Sequence, residues 1–181
     1  MQIRRLEQII GIAIALIALV VYIDTLCPTV NLIDSGELAT DVYTLGIAHP
    51  TGYPIFTLIG YVFSHLPLGM RIIYQLNLLA ALLCASALYV FFQFLLFFIE
   101  NFSGKDPSGT TRLNEIPTAT SVTSRIIPAV VGTFILGFSE TYWSQALSIE
   151  VYSLHVLFLV LLLFLFTKAM SRSVLPQSSR S

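Results

Sequence analysis

The chain has 181 residues, of which 56% are hydrophobic and only 10% are charged, and its mean hydropathy is +0.84. This composition excludes an ordinary soluble domain and indicates an integral membrane protein. The net charge of −1 at pH 7 indicates no particular partner, and we expect no nucleic-acid partner.

Four apolar segments are long enough to cross about 30 Å of hydrocarbon. They are Ile9–Leu26, Ile72–Ile99, Ile126–Trp143 and Ile149–Thr167. The first follows two arginines and lacks a small-residue cleavage pattern, so we predict a retained anchor rather than a signal peptide. Cys27 lies near the edge of a span and Cys84 lies inside one, so we predict that both are unpaired.

A fifth apolar segment, Pro54–Leu66, is short for a transmembrane helix. The distribution of positive charge indicates whether it crosses the membrane. Cytoplasmic loops are enriched in Lys and Arg. If the segment does not cross, every one of the nine basic residues except Arg71 lies on the cytoplasmic side. If it crosses, only Arg4, Arg5 and Arg71 remain there. We therefore predict an interfacial helix within an outer loop at residues 27–71.

This threading gives the chain a cytoplasmic N-terminus and collects acidic residues on the other side of the membrane. Those residues are Asp24, Asp34, Glu37, Asp41, Glu140 and Glu150. Residues 1–168 then form one transmembrane region, and residues 169–181 form a polar tail. Asn101–Arg125 is rich in Ser, Thr, Gly and Pro, and we predict a cytoplasmic linker there.

The first acidic group begins an amphipathic helix predicted from Ser35 to about Leu45. One interpretation makes Asp34 the N-cap and Glu37 its capping-box partner. The other makes Asp34 a general base, with Glu37 as its partner or alternative, because a carboxylate at a membrane edge can accept a proton from a hydroxyl nucleophile. Asp41 is predicted to lie on a solvated face.

The sequence His49-Pro-Thr-Gly-Tyr-Pro54 predicts a turn that leads into a helix, with Pro54 at the first helical position. The positive end of that helix would offer backbone amides to an anion such as a phosphate. Arg71, the lone outer cation, would either neutralise the same anion or extend its side chain to the interface.

The second outer loop carries Glu150 at the head of the last span, where a carboxylate is costly unless it is paired or faces water, so Glu150 is a functional candidate. Tyr142, Trp143 and Tyr152 are predicted to form an interfacial aromatic belt. We interpret Gln75, Asn77 and His155 as hydrogen-bonding partners between helices.

Several blocks of the sequence, taken together and in this order, resemble a membrane-protein family catalogued as a domain of unknown function. The blocks are Thr25–Val30, Asp34-Ser-Gly-Glu-Leu38, Leu45–Pro54, Arg71–Asn77, Trp143-Ser-Gln-Ala146 and Glu150-Val-Tyr152. That family is related to eukaryotic transmembrane O-mannosyltransferases and, more remotely, to the type C glycosyltransferases. The resemblance covers about Tyr22 to Lys168.

The resemblance implies an all-α integral membrane fold with about four spans and interfacial helices in the first outer loop. It implies transfer of a sugar from a polyprenyl-phosphate donor to a protein or glycan hydroxyl on the non-cytoplasmic side of a bacterial inner membrane or an ER-type membrane. The expected catalytic residues are Asp34, Glu37 and Glu150. The candidate substrate-binding residues are His49, Gly52, Tyr53, Arg71, Trp143 and Gln145. We expect neither a metal nor another cofactor.

Members of that family are usually much longer, so this chain is expected to be an N-terminal piece or a truncated product. The alternative hypothesis is a non-catalytic scaffold or assembly subunit, or a transporter fragment whose carboxylates bind a cation or proton.

Overall fold

The computed structural model describes residues 2–31, 34–49, 52–102 and 119–174, and it omits side chains at a few helix ends. All regular structure in these ranges is helical. The helices are α1 (Gln2–Asp24), α2 (Ser35–Thr44), α3 (Pro54–Ser64), α4 (Ile72–Phe102), α5 (Ala119–Gly137), α6 (Glu140–Ala146) and α7 (Val151–Val174). The prediction of an all-α membrane protein is confirmed. Helices α1, α4 and α7 are each long and apolar enough to cross a membrane, and the α5–α6 pair gives a fourth candidate.

Helices α1 and α4 run antiparallel. Near the start of α1, a Cβ added to Gly11 would lie 2.8 Å from Cδ1 of Phe92. Beyond the end of α1, the carbonyl of Cys27 accepts a hydrogen bond from Asn77 at 2.8 Å. Glycine lets the two backbones approach closely, which is how apolar helices gain packing energy inside a bilayer.

The other two long helices, α5 and α7, continue the alternation of helix direction along the chain. α5 runs alongside α1, because Arg125 pairs with Glu7 at 2.9 Å and the Tyr22 hydroxyl donates to the Gly137 carbonyl at 2.6 Å. The rings of Phe97 and Phe164 lie 5.8 Å apart, near the end of α4 and the later part of α7. The start of α4 and the loop before α7 therefore lie at the same end of the bundle as the end of α1.

The antiparallel arrangement of α1 and α4 bears on the path of the segment between them. Since α4 starts at the end where α1 stops, the chain from 25 to 71 returns to the end it left, and α3 does not carry it across the bundle. An 11-residue helix is also only about 16 Å long. α3 packs on α2, where a Cβ added to Gly60 would lie 2.5 Å from Cγ1 of Val42.

The third predicted span, Ile126–Trp143, is not one straight helix. α5 stops at Gly137, and α6 departs from the direction of Thr123–Gly137 by 66°. The bend turns Tyr142 into the core, where it is 7% exposed and its hydroxyl donates to the Cys84 carbonyl at 2.7 Å. The aromatic-belt prediction is therefore wrong for Tyr142, whereas Tyr152 is 57% exposed, as a belt residue would be.

Positive charge collects at the end of the bundle opposite the loops that contain Asp34 and Glu150. Arg125 is held there by two carboxylates, Glu7 at 2.9 Å and Glu100 at 3.0 Å, so one guanidinium joins α1, α4 and α5. The predicted linker is shorter than expected, because α4 extends to Phe102 and α5 begins at Ala119. Lys105, Arg112 and Arg180 lie outside the described residues, as does the side chain of Arg172.

Two smaller predictions meet different outcomes. Both cysteines are free, as expected. The last helix continues to Val174, past the predicted start of the polar tail at 169, and the rest of that tail lies outside the described residues.

Candidate functional site

The loop after α1 and the loop before α7 interlock through direct hydrogen bonds. The backbone N–H of Cys27 donates to the Leu147 carbonyl at 3.0 Å. A few residues further along, the side-chain amide of Asn31 donates to the Ser148 hydroxyl at 3.2 Å. These bonds hold the segment that leads to Asp34 against the segment that leads to Glu150.

Asn77, which is fully buried near the start of α4, ties both loops to the bundle. Its Nδ2 donates to the carbonyls of Cys27 and Thr29 at 2.8 and 3.2 Å. Its Oδ1 accepts the Ile149 N–H at 2.8 Å. Asn77 is thus a hydrogen-bonding partner, but to backbone groups of the loops and not, as predicted, to another helix. The amide bonds to three backbone groups, of which the Ile149 N–H is buried and needs a partner.

Gln75, two residues earlier on α4, has a related role. Its side-chain nitrogen donates to the carbonyls of Phe63 and Leu66, which end α3. The end of α3 is thereby fixed against the start of α4, and the prediction that Gln75 is a hydrogen-bonding partner is confirmed.

Asp34 occupies the N-cap position of α2, but its side chain makes no capping hydrogen bond. Its backbone, with φ −88° and ψ 1°, is outside the extended region usual for a capping residue. The loop is held instead by Ser35, whose hydroxyl accepts the Asn31 N–H at 2.9 Å and donates to the Asn31 carbonyl at 2.8 Å. The capping-box prediction is therefore wrong, and the half-buried Asp34 carboxylate is not used as a cap.

Glu37 is committed to His49 rather than to the start of its own helix. One carboxylate oxygen lies 3.0 Å from both the backbone nitrogen and the ring Nδ1 of His49. The two hydrogen bonds from His49, the backbone one first, hold the pKa of Glu37 below its usual value. Conversely, the bond to Glu37 raises the pKa of His49, and the charges of Asp34 and Asp41 raise it further. This contact fixes the turn before α3 against α2.

Glu150 immediately precedes α7 and is half-buried. Burial raises the pKa of its carboxyl, and the negative charge of Asp34 raises it further. The charge of Asp34 thus reaches both Glu150 and His49. The interlocked loops bring four of the predicted site residues into electrostatic contact.

Asp41 does not lie on a solvated face, as the sequence suggested. It is half-buried, and its Oδ2 is buried without a hydrogen-bond partner among the described residues. The chain turns back over it at Leu45, whose φ of 55° is left-handed. The following Gly46 passes so close that an added Cβ would lie 2.6 Å from the Asp41 Oδ1. The close turn, which the helical pattern does not reveal, covers this carboxylate.

A groove of about 290 Å³ opens between α3 and α7, beside the acidic residues. Tyr53 and His155 lie on its walls with apolar side chains from both helices. The ring of Tyr53 makes edge contacts with His49 at 6.1 Å and with His155 at 6.3 Å. Gly52 allows the turn because its φ is 81°. The sequence predicts a hydrogen-bonding role for His155 and does not indicate that it lines this groove.

The turn residues Pro50 and Thr51 lie outside the described residues.

Trp143 and Gln145 belong to a different surface. The indole N–H of Trp143 donates to the Thr25 hydroxyl at 3.1 Å, and its ring lines a second groove with Phe138 and Glu140. The Gln145 side-chain oxygen is buried without a hydrogen-bond partner in the described part of the chain. These two residues are thus not in the groove that holds Tyr53.

Arg71 lies just before α4 and is exposed. It forms no ion pair with any carboxylate that the structure describes. Within the same ranges, no three His, Cys, Asp or Glu side chains are grouped as metal ligands.

The alternating bundle has both polar loops and Arg71 at one end and the other described basic residues at the opposite end. This arrangement defines a multi-pass α-helical membrane protein. Residues 34–181 match the family described as "Protein O-mannosyl-transferase TMEM260 N-terminal domain". The chain belongs to this family.

Two relatives carry the same name. The "Protein O-mannosyl-transferase TMEM260" of Mus musculus is 32% identical over 133 residues, which is 73% of this chain and 15% of the mouse protein. The "Protein O-mannosyl-transferase tmem260" of Dictyostelium discoideum is 24% identical over 149 residues, which is 81% of this chain and 15% of that protein. The match thus spans only a small part of each relative. No solved structure matches the chain.

Proposed function

We propose that the chain supplies the donor-side catalytic loops of an O-mannosyltransferase-like membrane enzyme. The reaction transfers a sugar from a polyprenyl-phosphate carrier to a hydroxyl of a protein or glycan on the non-cytoplasmic side. Membership of the family and the printed names of the two relatives support the class of reaction. The names of the relatives do not specify the lipid carrier or the side of the membrane, and we propose both.

Asp34 acts as the general base in this proposal. The acceptor oxygen forms a bond to the anomeric carbon while its proton passes to the Asp34 carboxylate. The bond between that carbon and the phosphate oxygen breaks, and the electron pair leaves with the lipid phosphate. One observation carries the assignment: the Asp34 charge raises the pKa of both Glu150 and His49. In addition, the Asp34 side chain makes no capping bond.

His49 stabilises the leaving phosphate. Its pKa is raised by Glu37, which favours the cationic ring that an anion requires. Glu37 is therefore a positioning residue, since its oxygen is bound to His49. The backbone N–H of Tyr53 supplies a further donor, and Arg71 contributes a second cation to the donor phosphate.

Glu150 serves as the second acidic group. Burial and the Asp34 charge both raise its pKa, which favours a protonated carboxyl beside a charged one. A protonated Glu150 can donate a hydrogen bond to the sugar or to the phosphate without repelling Asp34. Trp143, in its separate groove, and Gln145 are assigned to the acceptor.

The sidedness follows from the positive-inside rule. Arg4, Arg5, Arg125 and Lys168 lie at the end opposite the site, and cations of this kind remain in the cytoplasm. We therefore assign the N-terminus to the cytoplasm and the acidic loops to the other compartment.

A transporter role receives less support. Transport through the bundle would require carboxylates near mid-membrane depth. The described acidic side chains lie at helix ends or in loops, as Glu7, Asp24 and Glu100 illustrate.

The test is complementation of a strain that lacks the gene, with protein mannosylation measured by mass spectrometry. Asp34→Asn is expected to lower transfer at least about 100-fold, because it removes the proton acceptor with little change of shape. Asp24→Asn is the matched control, since Asp24 is an exposed carboxylate at the same end of the bundle. Transfer that survives Asp34→Asn at normal protein level would refute its role as base, and loss with Asp24→Asn would refute the site's specificity.

A further inference from the structure

A second polar cavity lies at the opposite end of the bundle, away from the acidic loops. It has a volume of about 500 Å³ and is enclosed by α1, α4 and α7. Basic side chains from two of these helices, Arg4 and Lys168, form part of its rim. Leu96, Phe97 and Phe164 supply apolar wall.

The charges around this cavity do not cancel. Glu7 and Glu100 also line it, but both are bound to Arg125, at 2.9 and 3.0 Å. Arg4 and Lys168 form no ion pair with the described carboxylates. The Lys168 ammonium lies 5.8 Å from the centre of the Phe164 ring, against the apolar wall. Counting Arg125, the group has three positive and two negative side chains and so a net charge of +1.

The cavity also contains an unused amide. Gln93 lines it, and the Gln93 Nε2 is buried without a hydrogen-bond partner among the described residues. A buried donor of this kind is costly unless a ligand or water satisfies it. Gly11 keeps α1 close to this part of α4, because an added Cβ would lie 3.2 Å from the same nitrogen.

We infer that this cavity binds the headgroup of an anionic glycerophospholipid from the adjacent leaflet. Arg4 and Lys168 contact the phosphate, Gln93 donates to a headgroup oxygen, and the acyl chains lie along Phe97 and Phe164. Basic pockets between membrane helices suit such headgroups, since each cation adds attraction and the helices supply an apolar surface. The site is separate from the proposed transferase site and does not depend on its activity.

The experiment titrates the full chain, purified in detergent, with dioleoyl phosphatidylglycerol or dioleoyl phosphatidylcholine and counts bound lipid by native mass spectrometry. We expect tighter binding of the anionic lipid. Arg4→Gln and Lys168→Gln should each weaken it roughly fivefold, because each removes one cation. Gln93→Leu should weaken it as well.

Arg5→Gln is the matched control, because Arg5 is an equally exposed neighbouring cation that does not line the cavity. It should leave the affinity unchanged. Equal binding of the two lipids, or equal loss in Arg5→Gln and both cavity variants, would overturn the inference. Glycerol phosphate is added as a soluble competitor. If it displaces the anionic lipid at a concentration as low as that of the lipid, the site binds a free phosphate instead.

Discussion

At Glu37, one carboxylate oxygen serves two donors of a single residue, His49. The sequence placed both residues near each other along the chain, but the helical pattern favoured a bond from Glu37 back to the start of α2. The loop geometry reverses that choice, since it brings the His49 N–H to the Glu37 side chain. A capping box joins residues three positions apart. Here Glu37 instead bonds to His49, 12 residues further along the chain.

The Glu37–His49 pair predicts a specific pH dependence. His49 has a raised pKa and Glu37 a lowered one, so the pair's stabilisation is complete between their ordinary values of 4.5 and 6.5. It is lost as pH rises through the raised pKa of His49, and also as pH falls through the lowered pKa of Glu37. The side chains are 40% and 46% exposed, so solvent screening keeps the effect small.

The measurement is an NMR titration of His49 in the detergent-solubilised chain with labelled histidine. The midpoint should lie above the ordinary value of 6.5 in the wild type and move down in Glu37→Gln. His65→Asn and His155→Asn serve to assign the signals. An unchanged His49 midpoint in Glu37→Gln would show that Glu37 does not set the charge of this ring.

Among the helices, those that cross the bundle are the part of the fold that the sequence predicts best. The start of α4 at Ile72 was correct, because long apolar runs report directly on length and burial. The bend after Gly137 was missed, since the apolar pattern continues across it into Tyr142. Hydropathy measures whether a residue is apolar, and it does not distinguish a residue that faces lipid from one that turns inward to bond with Cys84.

Asn77 gives the sharpest test of how the elements are held together. Asn77→Ala removes bonds to the Cys27 and Thr29 carbonyls and to the buried Ile149 N–H. The free energy of unfolding should fall by roughly 2–4 kcal/mol. Chemical denaturation in detergent measures this loss.

The control is Ser86→Ala on the same helix. Ser86 is exposed, and its hydroxyl bonds only to Leu82 one turn earlier, so its removal should change the stability by less than about 0.5 kcal/mol. Asn77→Ala that is no less stable than Ser86→Ala would contradict the proposed role of this amide.

For the molecule as a whole, the count of basic residues and the direction of the helices support the same arrangement. The distribution of basic residues predicts that the loop at residues 27–71 begins and ends on one side of the membrane. The antiparallel packing of α1 and α4 has this geometry. The cavity at the basic end was not foreseen. It depends on the approach of three helices, and composition alone does not reveal which of their side chains meet.

The roles of the individual site residues are less accessible from sequence than the topology. Asp34 and Glu150 lie far apart in the chain, and only the bonds between the two loops bring their charges within reach of each other. The resemblance groups Trp143 with the same site, yet it lies on another groove, where its indole bonds to Thr25 just after α1.

The most direct test of the central claim, that the two acidic loops face one non-cytoplasmic compartment, is cysteine labelling in intact cells. With Cys27→Ser and Cys84→Ala as background, single cysteines are introduced by Thr44→Cys, Thr141→Cys and, at the opposite end, Ser124→Cys. All three positions are exposed. A membrane-impermeant maleimide should label the first two in intact cells and the third only after permeabilisation. Protection of either Thr44→Cys or Thr141→Cys until the cells are opened would contradict the account.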